Sequence, residues 1–387
     1  MTAVRVGVDA TSWANRRGFG RFARNAVGRL VELDPDTTYV LYVADASSAA
    51  ALPAGAERRA VGAGRAPAAA RGRGAGDLLR LTLAASRRDL DAFLFPSVYT
   101  YFPVLRVPTV VGVHDVIAAE LPELTLPTRR ARLSWRAKEG FAVRRARRVF
   151  TVSEASRRAL AERHRIPCAQ IAVVREAPDP LFGPRPAAEK ARALGPLGLE
   201  PDEPFLLYAG GISPHKGIGT LLDAYAGLSE RADGLPRLVV AGDLDSDPYL
   251  SAAGAVRGQI IRLGLGDRVV LPGFVPDETL ACLYAAATVV VLPSLAEGFG
   301  LPAVEAAACG APLVLSDLPA HRETLGDAAL YFPPADTGAL EQALERALDD
   351  ETLRRSLGIG GREAVSQLSW DAAALRLRDL LVEAVRR

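Results

Sequence analysis

The sequence predicts an α/β protein of two parallel-sheet halves, and three observations predict it. Short apolar runs alternate with helix-length stretches along the whole chain, the signature of βαβ units. Near the middle the alternation breaks at Ala177-Pro178-Asp179-Pro180 and Gly183-Pro184-Arg185-Pro186, where prolines at that density end helix and strand alike. Beyond the break the alternation starts again, so each side carries its own sheet. In order, the first half predicts strands near 4–8, 39–43, 93–95, 109–113, 149–152 and 171–174, with helices over 128–147 and 154–165. The Gly/Ala/Arg-rich stretch 63–76 has nothing to bury and reads as a loop. The second half predicts strands near 205–209, 238–241, 269–271, 289–292 and 312–315, and closes on an amphipathic helix over 371–385. The domain limits that follow are 1–180 and 181–387. Two such halves joined by a hinge enclose a cleft, and ligands of open parallel sheets bind beyond the carboxyl ends of the strands. The informative residues should therefore follow strands.

Composition narrows the class. The chain of 387 residues has room for about two domains and two cores, and its 49% hydrophobic and 24% charged content excludes a disordered, collagenous or coiled-coil protein. Cys168, Cys282 and Cys309 lie far apart with no CxxC spacing, so neither a disulfide framework nor a structural zinc site is expected. A reducing, cytoplasmic setting fits that usage. The apolar runs are strand-sized, too short to span a bilayer, and the strand pattern that begins at Val4 leaves no room for a leader. A net charge of +2 conceals an asymmetry: residues 1–185 carry 30 basic and 17 acidic side chains, the remainder 17 and 28. The basic half points to an anionic partner or a membrane surface; nucleic acid is not among the expected partners.

The strongest motif is Pro293-Ser294-Leu295-Ala296-Glu297-Gly298-Phe299-Gly300-Leu301-Pro302-Ala303-Val304-Glu305, which follows the apolar run 289–292. Pro302 suits the first helical position, where its missing N–H costs nothing, and Gly298 and Gly300 allow close ligand approach just before that helix. A helix start with free N–H groups suits phosphate, while Glu297 and Glu305 suit sugar or ribose hydroxyls. A plain glycine turn with two solvated acids is the competing account of the same residues. The segment resembles the Glu-x7-Glu motif of the family-4 retaining glycosyltransferases, which have the GT-B fold of two Rossmann-like domains with parallel sheets facing a central cleft. The resemblance extends over nearly the whole chain. It implies that Glu297 lies by the transferred sugar and Glu305 on the ribose, with the backbone of Phe299 and Gly300 at the sugar and that of Leu301 at the diphosphate.

A second segment, Tyr208-Ala209-Gly210-Gly211-Ile212-Ser213-Pro214-His215-Lys216-Gly217, also joins a strand to a helix. Lys216 is one of only three lysines in a chain that otherwise uses arginine, which suggests a need for a compact ammonium. The resemblance puts this lysine on the donor diphosphate. Gly211 stands where the family commonly has Arg, and the neighbouring His215 is expected to supply part of that charge. In Val110-Val111-Gly112-Val113-His114-Asp115, the resemblance places His114 near the transferred sugar; Asp115 either orients the imidazole or caps the next turn.

Gly18-Phe19-Gly20-Arg21-Phe22-Ala23 fits G-x-G-x-x-A, but the first strand ends about eight residues earlier, too far for a dinucleotide fingerprint. The resemblance instead assigns Gly18 and Gly20 to a glycine loop near the donor phosphates or the acceptor. It also suggests base recognition through the backbone near Val275, and a last helix, about 371–386, that crosses back to the first domain with Trp370 as its packing residue. Asp243-Leu244-Asp245-Ser246-Asp247 lacks the Gly and Glu of a calcium loop and reads as a surface turn. Residues 128–148 carry nine Arg/Lys and one Glu with Trp135 and Phe141 between them, which fits a solvated helix face or an anionic lipid surface.

The resemblance therefore implies transfer of a sugar from a UDP-, GDP- or dTDP-sugar to an acceptor hydroxyl with retention. The acceptor would be anionic, lipid-linked or a small natural product. No resident cofactor or metal is expected, and no enzymic nucleophile. A nucleotide-sugar 2-epimerase, a non-catalytic sugar-nucleotide-binding subunit and a phosphorylase carrying pyridoxal phosphate on Lys138, Lys190 or Lys216 are the alternatives.

Overall fold

The computed structural model describes residues 4–15, 18–44, 52–62, 74–86, 89–200, 203–231, 234–244 and 251–386. They form two compact units, Met1–Glu176 with Ser369–Arg387, and Ala177–Leu368.

The first unit holds a sheet of β1 (Arg5–Asp9), β2 (Thr38–Val43), β3 (Glu57–Ala60), β4 (Ala92–Phe95), β5 (Thr109–Gly112), β6 (Arg148–Thr151) and β7 (Ile171–Val173). Its order is β3-β2-β1-β4-β5-β6-β7, and every pairing is parallel, with Val8 opposite Leu41 on one side and Leu94 on the other. The inner strands are apolar almost throughout because both sheet faces are covered. The sequence reading has no counterpart of β3. Its residues, Glu-Arg-Arg-Ala, are largely exposed at the sheet edge, where no apolar run is required. The stretch read as a loop over 63–76 is described only from Gly74, and there Ala75–Ala85 is helical because Leu81 and Ala85 pack into the unit's core. Residues 63–73 lie outside the described residues, as do Asp245, Ser246 and Asp247 of the acidic turn.

The helix Trp370–Val385 belongs to this unit. Ser369 caps it by accepting from the Ala372 N–H at 3.1 Å, and Trp370, Ala373, Ala374, Leu377, Leu381 and Ala384 form its buried stripe. Trp370 stands edge-on to Phe22 with ring centroids 6.1 Å apart. Arg29 forks onto the Asp371 carboxylate at 2.6 and 3.0 Å, and Arg148 reaches Glu383 at 2.9 Å.

The second unit holds β8 (Phe205–Ala209), β9 (Arg237–Ala241), β10 (Val269–Gly273), β11 (Val289–Leu292), β12 (Leu313–Ser316) and β13 (Leu330–Phe332). They are ordered β10-β9-β8-β11-β12-β13, again all parallel. The short edge strand β13 was not expected from sequence: three residues carry too little pattern. This is the Rossmann strand order, and it reverses direction between β8 and β11. In the first unit the same reversal falls between β1 and β4. Loops that leave the carboxyl ends of these strands diverge to opposite faces and open a crevice there.

Candidate active site

In the second unit, the two strongest motifs leave the two strands that flank the reversal. β8 is wholly buried and runs into Gly210-Gly211, followed by the short turn Pro214–Lys216 and the helix Ile218–Arg231. β11 runs into Pro293–Gly300 and the helix Leu301–Ala308. The two loops are zipped together: the Leu295 N–H donates to the His215 carbonyl at 2.8 Å. Gly217 lies at φ +67°, and a Cβ there would sit 2.0 Å from the Pro293 carbonyl oxygen, so only glycine permits this approach.

That closeness brings Lys216 and Glu297 together across 81 residues of sequence. The Lys216 Nζ donates to Glu297 Oε1 at 2.6 Å, and the Ser294 hydroxyl donates to the same oxygen at 2.7 Å. Both charged side chains are mostly buried, at 17% and 11% exposure. Burial by itself raises the Glu297 carboxyl, but the Lys216 ammonium, followed by His321 and by the hydrogen bonds from Lys216 and Ser294, outweighs it and pulls the pKa down to about 2. Glu297 is therefore an anion at neutral pH with a fixed orientation.

The helix after it begins at Leu301, with Pro302 one position later than the sequence reading places it. Gly300 is its N-cap in the left-handed region, φ +87°, and no side chain caps the helix. The Ala303 and Val304 N–H groups donate to the Gly300 carbonyl at 2.9 and 3.2 Å and Pro302 has no N–H, so Leu301 keeps the first-turn N–H without an intrahelical partner, at the positive end of the helix. Phe299 and Leu301 are buried, and Glu305 is buried one turn into the helix. Gly211 is exposed, its carbonyl accepting from the Tyr208 hydroxyl at 2.7 Å. A Cβ on Gly211 would meet only the Ser213 Oγ at 3.7 Å, so packing does not demand glycine there. Val275 is buried after β10, whose Gly273 carbonyl accepts from the Gly242 N–H at 3.0 Å.

His321, which the sequence reading passed over, adjoins this cluster. It lies in the helix Pro319–Leu325 that follows β12, with its Nδ1 2.9 Å from the Ser316 carbonyl. Its ring fills the place a Cβ on Gly300 would take, 2.8 Å from Cδ2 and 3.0 Å from Nε2. The one available signal was scarcity, since the chain has only four histidines.

His114, Gly18 and Gly20 belong to the first unit. His114 follows β5, is buried, and stands edge-on to Phe22 with centroids 4.7 Å apart. Its Nε2 lies 2.8 Å from the Pro96 carbonyl and its Nδ1 3.6 Å from Glu176 Oε1. A carbonyl only accepts, so Nε2 carries the proton, and burial lowers the pKa to about 4, leaving the ring neutral. Asp115 does not orient that imidazole: its Oδ1 accepts from the Ile117 N–H at 3.0 Å, and Glu176 is the carboxylate that faces His114. Gly18 and Gly20 sit in the helical segment Gly18–Phe22 rather than in an open loop. That segment continues through a π-helical turn, Ala23–Val27, into Gly28–Leu33. Gly20 is needed for space, because a Cβ would lie 2.0 Å from the Asn15 carbonyl oxygen; at Gly18 it would meet nothing.

Two Rossmann-ordered units are what a GT-B protein contains, and comparison with known proteins assigns the chain to that fold. Residues 190–364 match the family described as Glycosyl transferases group 1, and residues 16–180 match Glycosyltransferase Family 4. The O-antigen chain mannosyltransferase B of Escherichia coli is 30% identical over 73% of this chain and 72% of its own length. Several further curated relatives align over less than half of their own length. Among solved structures, a sucrose-phosphate synthase from Thermosynechococcus elongatus superimposes with a TM-score of 0.78 at 23% identity, covering 97% of this chain and 98% of that one. Anabaena HepE in complex with UDP-glucose gives 0.74 at 19% identity, covering 98% and 99%. The chain belongs to the group 1, family 4 glycosyltransferases.

Proposed function

We propose that the protein transfers a sugar, with retention, from a nucleotide diphosphate-sugar to an acceptor hydroxyl, in bacterial glycan, glycolipid or natural-product biosynthesis. The second unit would hold the donor and the first the acceptor. The observation that carries this is the Lys216–Glu297 pair, 2.6 Å apart, beside an uncapped helix start at the point where the strand order reverses. A diphosphate at that start would meet the Leu301 N–H, the positive end of the helix and the Lys216 ammonium, which together offset the charge that develops as it departs. Glu297 and Glu305 would then accept from sugar and ribose hydroxyls. The acceptor proton passes to the leaving phosphate oxygen on the same face of the sugar, so no protein nucleophile is assigned. With Lys216 and the helix start carrying the electrostatic work, no metal is required. The UDP-glucose complex of Anabaena HepE supports a nucleotide-sugar donor.

The first unit supports a membrane-side acceptor. The helix Arg129–Arg145 exposes Arg129, Arg130, Arg136, Arg144 and Arg145 with Leu133 and Phe141 among them. None of these arginines has an ion pair among the described residues, and the helix's one acid, Glu139, is buried against Arg163 and His164. Basic and apolar side chains on one exposed face suit an anionic bilayer. No helix among the described residues is long and apolar enough to cross a membrane.

The test is thermal unfolding with UDP, GDP, ADP and dTDP, with and without EDTA, followed by turnover of the matching sugar conjugates. A diphosphate at a hundred times its Kd raises stability by about 2.7 kcal/mol. Retention is read from the anomeric coupling constant of the product. Donor consumption without any acceptor would instead favour the epimerase, and binding without turnover the non-catalytic subunit.

A further inference from the structure

We propose that His321 reads the donor sugar: its unprotonated Nε2 accepts a hydrogen bond from a hydroxyl of the sugar being transferred, a role that rests on the donor-site reading above. The Ser316 carbonyl 2.9 Å from Nδ1 can only accept, so Nδ1 carries the proton and donates. Burial disfavours a second proton, and the lone pair is left on Nε2. That nitrogen is buried, with no hydrogen-bond partner among the described residues. Buried polar atoms without partners are rare in folded proteins and costly to keep. This one sits against Gly300, the residue that opens the donor helix, and within electrostatic reach of Glu297 and Lys216.

The neighbouring groups also say what kind of partner fits. Glu297 is an anion and accepts only, so it cannot satisfy Nε2. Lys216 donates to Glu297 at 2.6 Å and makes no hydrogen bond to Nε2. The oxygens of an ionised diphosphate only accept as well, so the phosphates cannot be the partner. A sugar hydroxyl donates and accepts at once, and can bridge a bare imidazole nitrogen and a fixed carboxylate. His321 therefore distinguishes the sugar-bearing donor from the bare nucleotide, which Lys216 and the helix start do not.

Two substitutions separate the ring's two nitrogens. In His321→Asn the amide nitrogen replaces Nδ1 and keeps the Ser316 contact, with nothing at the Nε2 position. In His321→Gln the amide oxygen reaches the Nε2 position and restores an acceptor. Calorimetric titrations would compare UDP with UDP-glucose and GDP with GDP-mannose on the wild type and both variants. For the pair the wild type binds, the Asn variant should lose about tenfold in affinity for the nucleotide-sugar, the worth of one neutral hydrogen bond. Its affinity for the bare diphosphate should stay within about twofold, and the Gln variant should recover most of the loss. Equal binding of the nucleotide-sugar by the Asn variant and the wild type overturns the role of His321. So does a parallel loss of both ligands, which would mean the ring only shapes the Gly300 turn. A wild type that binds neither diphosphate overturns the donor-site reading and this role with it.

Discussion

Replacing Lys216 by Met removes the ammonium and keeps most of the side-chain volume, and its consequence follows from the charge it leaves behind. Glu297 is mostly buried and holds a carboxyl pKa of about 2, against about 4.3 for an unperturbed glutamate. A group depressed on folding stabilises the fold above its unfolded pKa, and that stability is lost as the pH falls from about 4 towards 2. The difference corresponds to on the order of 3 kcal/mol at pH 7. Without Lys216, burial is opposed only by His321 and the Ser294 hydrogen bond, so the carboxyl pKa rises and the variant loses most of that gain at pH 7. In a unit of this size a loss of about 3 kcal/mol lowers Tm by about 6–12 °C. The gap between variant and wild type should be widest at about pH 6–8 and narrow as the pH falls towards 2, because the variant's carboxyl takes up its proton before that of the wild type. Thermal unfolding across that range measures it, and turnover should fall by about a hundredfold at pH 7. A Tm difference that does not change with pH would refute the claim that Lys216 holds Glu297 ionised, and near-wild-type turnover would discard its part in catalysis.

Gly300→Ala forces a Cβ against the His321 ring in a backbone region that costs about 1–3 kcal/mol for other residues, and should lower Tm and donor affinity together, as read by unfolding scans with and without nucleotide. Gly211→Arg, by contrast, brings its Cβ only into ordinary contact with the Ser213 Oγ; it should leave Tm unchanged and tighten diphosphate binding several-fold in titrations, with a steeper salt dependence. Reversing Arg130, Arg136 and Arg144 to Glu should abolish co-sedimentation with vesicles rich in phosphatidylglycerol and leave Tm nearly unchanged, each arginine contributing about 1 kcal/mol at such a surface. Equal sedimentation of the variant would remove the membrane from the reading. Trp370→Ala empties a packed position beside Phe22 and should cost about 3–5 kcal/mol, seen as a lower midpoint in urea unfolding.

Much of the fold was legible because buried parallel strands announce themselves as apolar runs, and ten of the eleven expected strands overlap strands β1, β2 and β4–β11 while the eleventh overlaps β12. The edges were not. β3 is polar because one side of it faces solvent, and β13 is too short to show a period. Likewise Pro302 announced a helix start, but its offset by one residue depends on Gly300 taking the left-handed cap.

What the sequence determined by itself were the features that short-range chemistry encodes: alternation of strands and helices, a proline-rich break, glycines before a helix, and a solitary lysine in an arginine-rich chain. The tertiary structure decided which of those residues meet. β8 and β11 are neighbours although β9 and β10 separate them in sequence, and that adjacency is what joins Lys216 to Glu297. Placing β12 next to β11 likewise sets the stage for His321 beneath Gly300. In the first unit it is packing that ties the His114 imidazole to Pro96 and turns Glu176, not the adjacent Asp115, towards it. Periodicity records whether a side chain is buried, whereas strand order, set by the packing of the whole sheet, determines beside which partner.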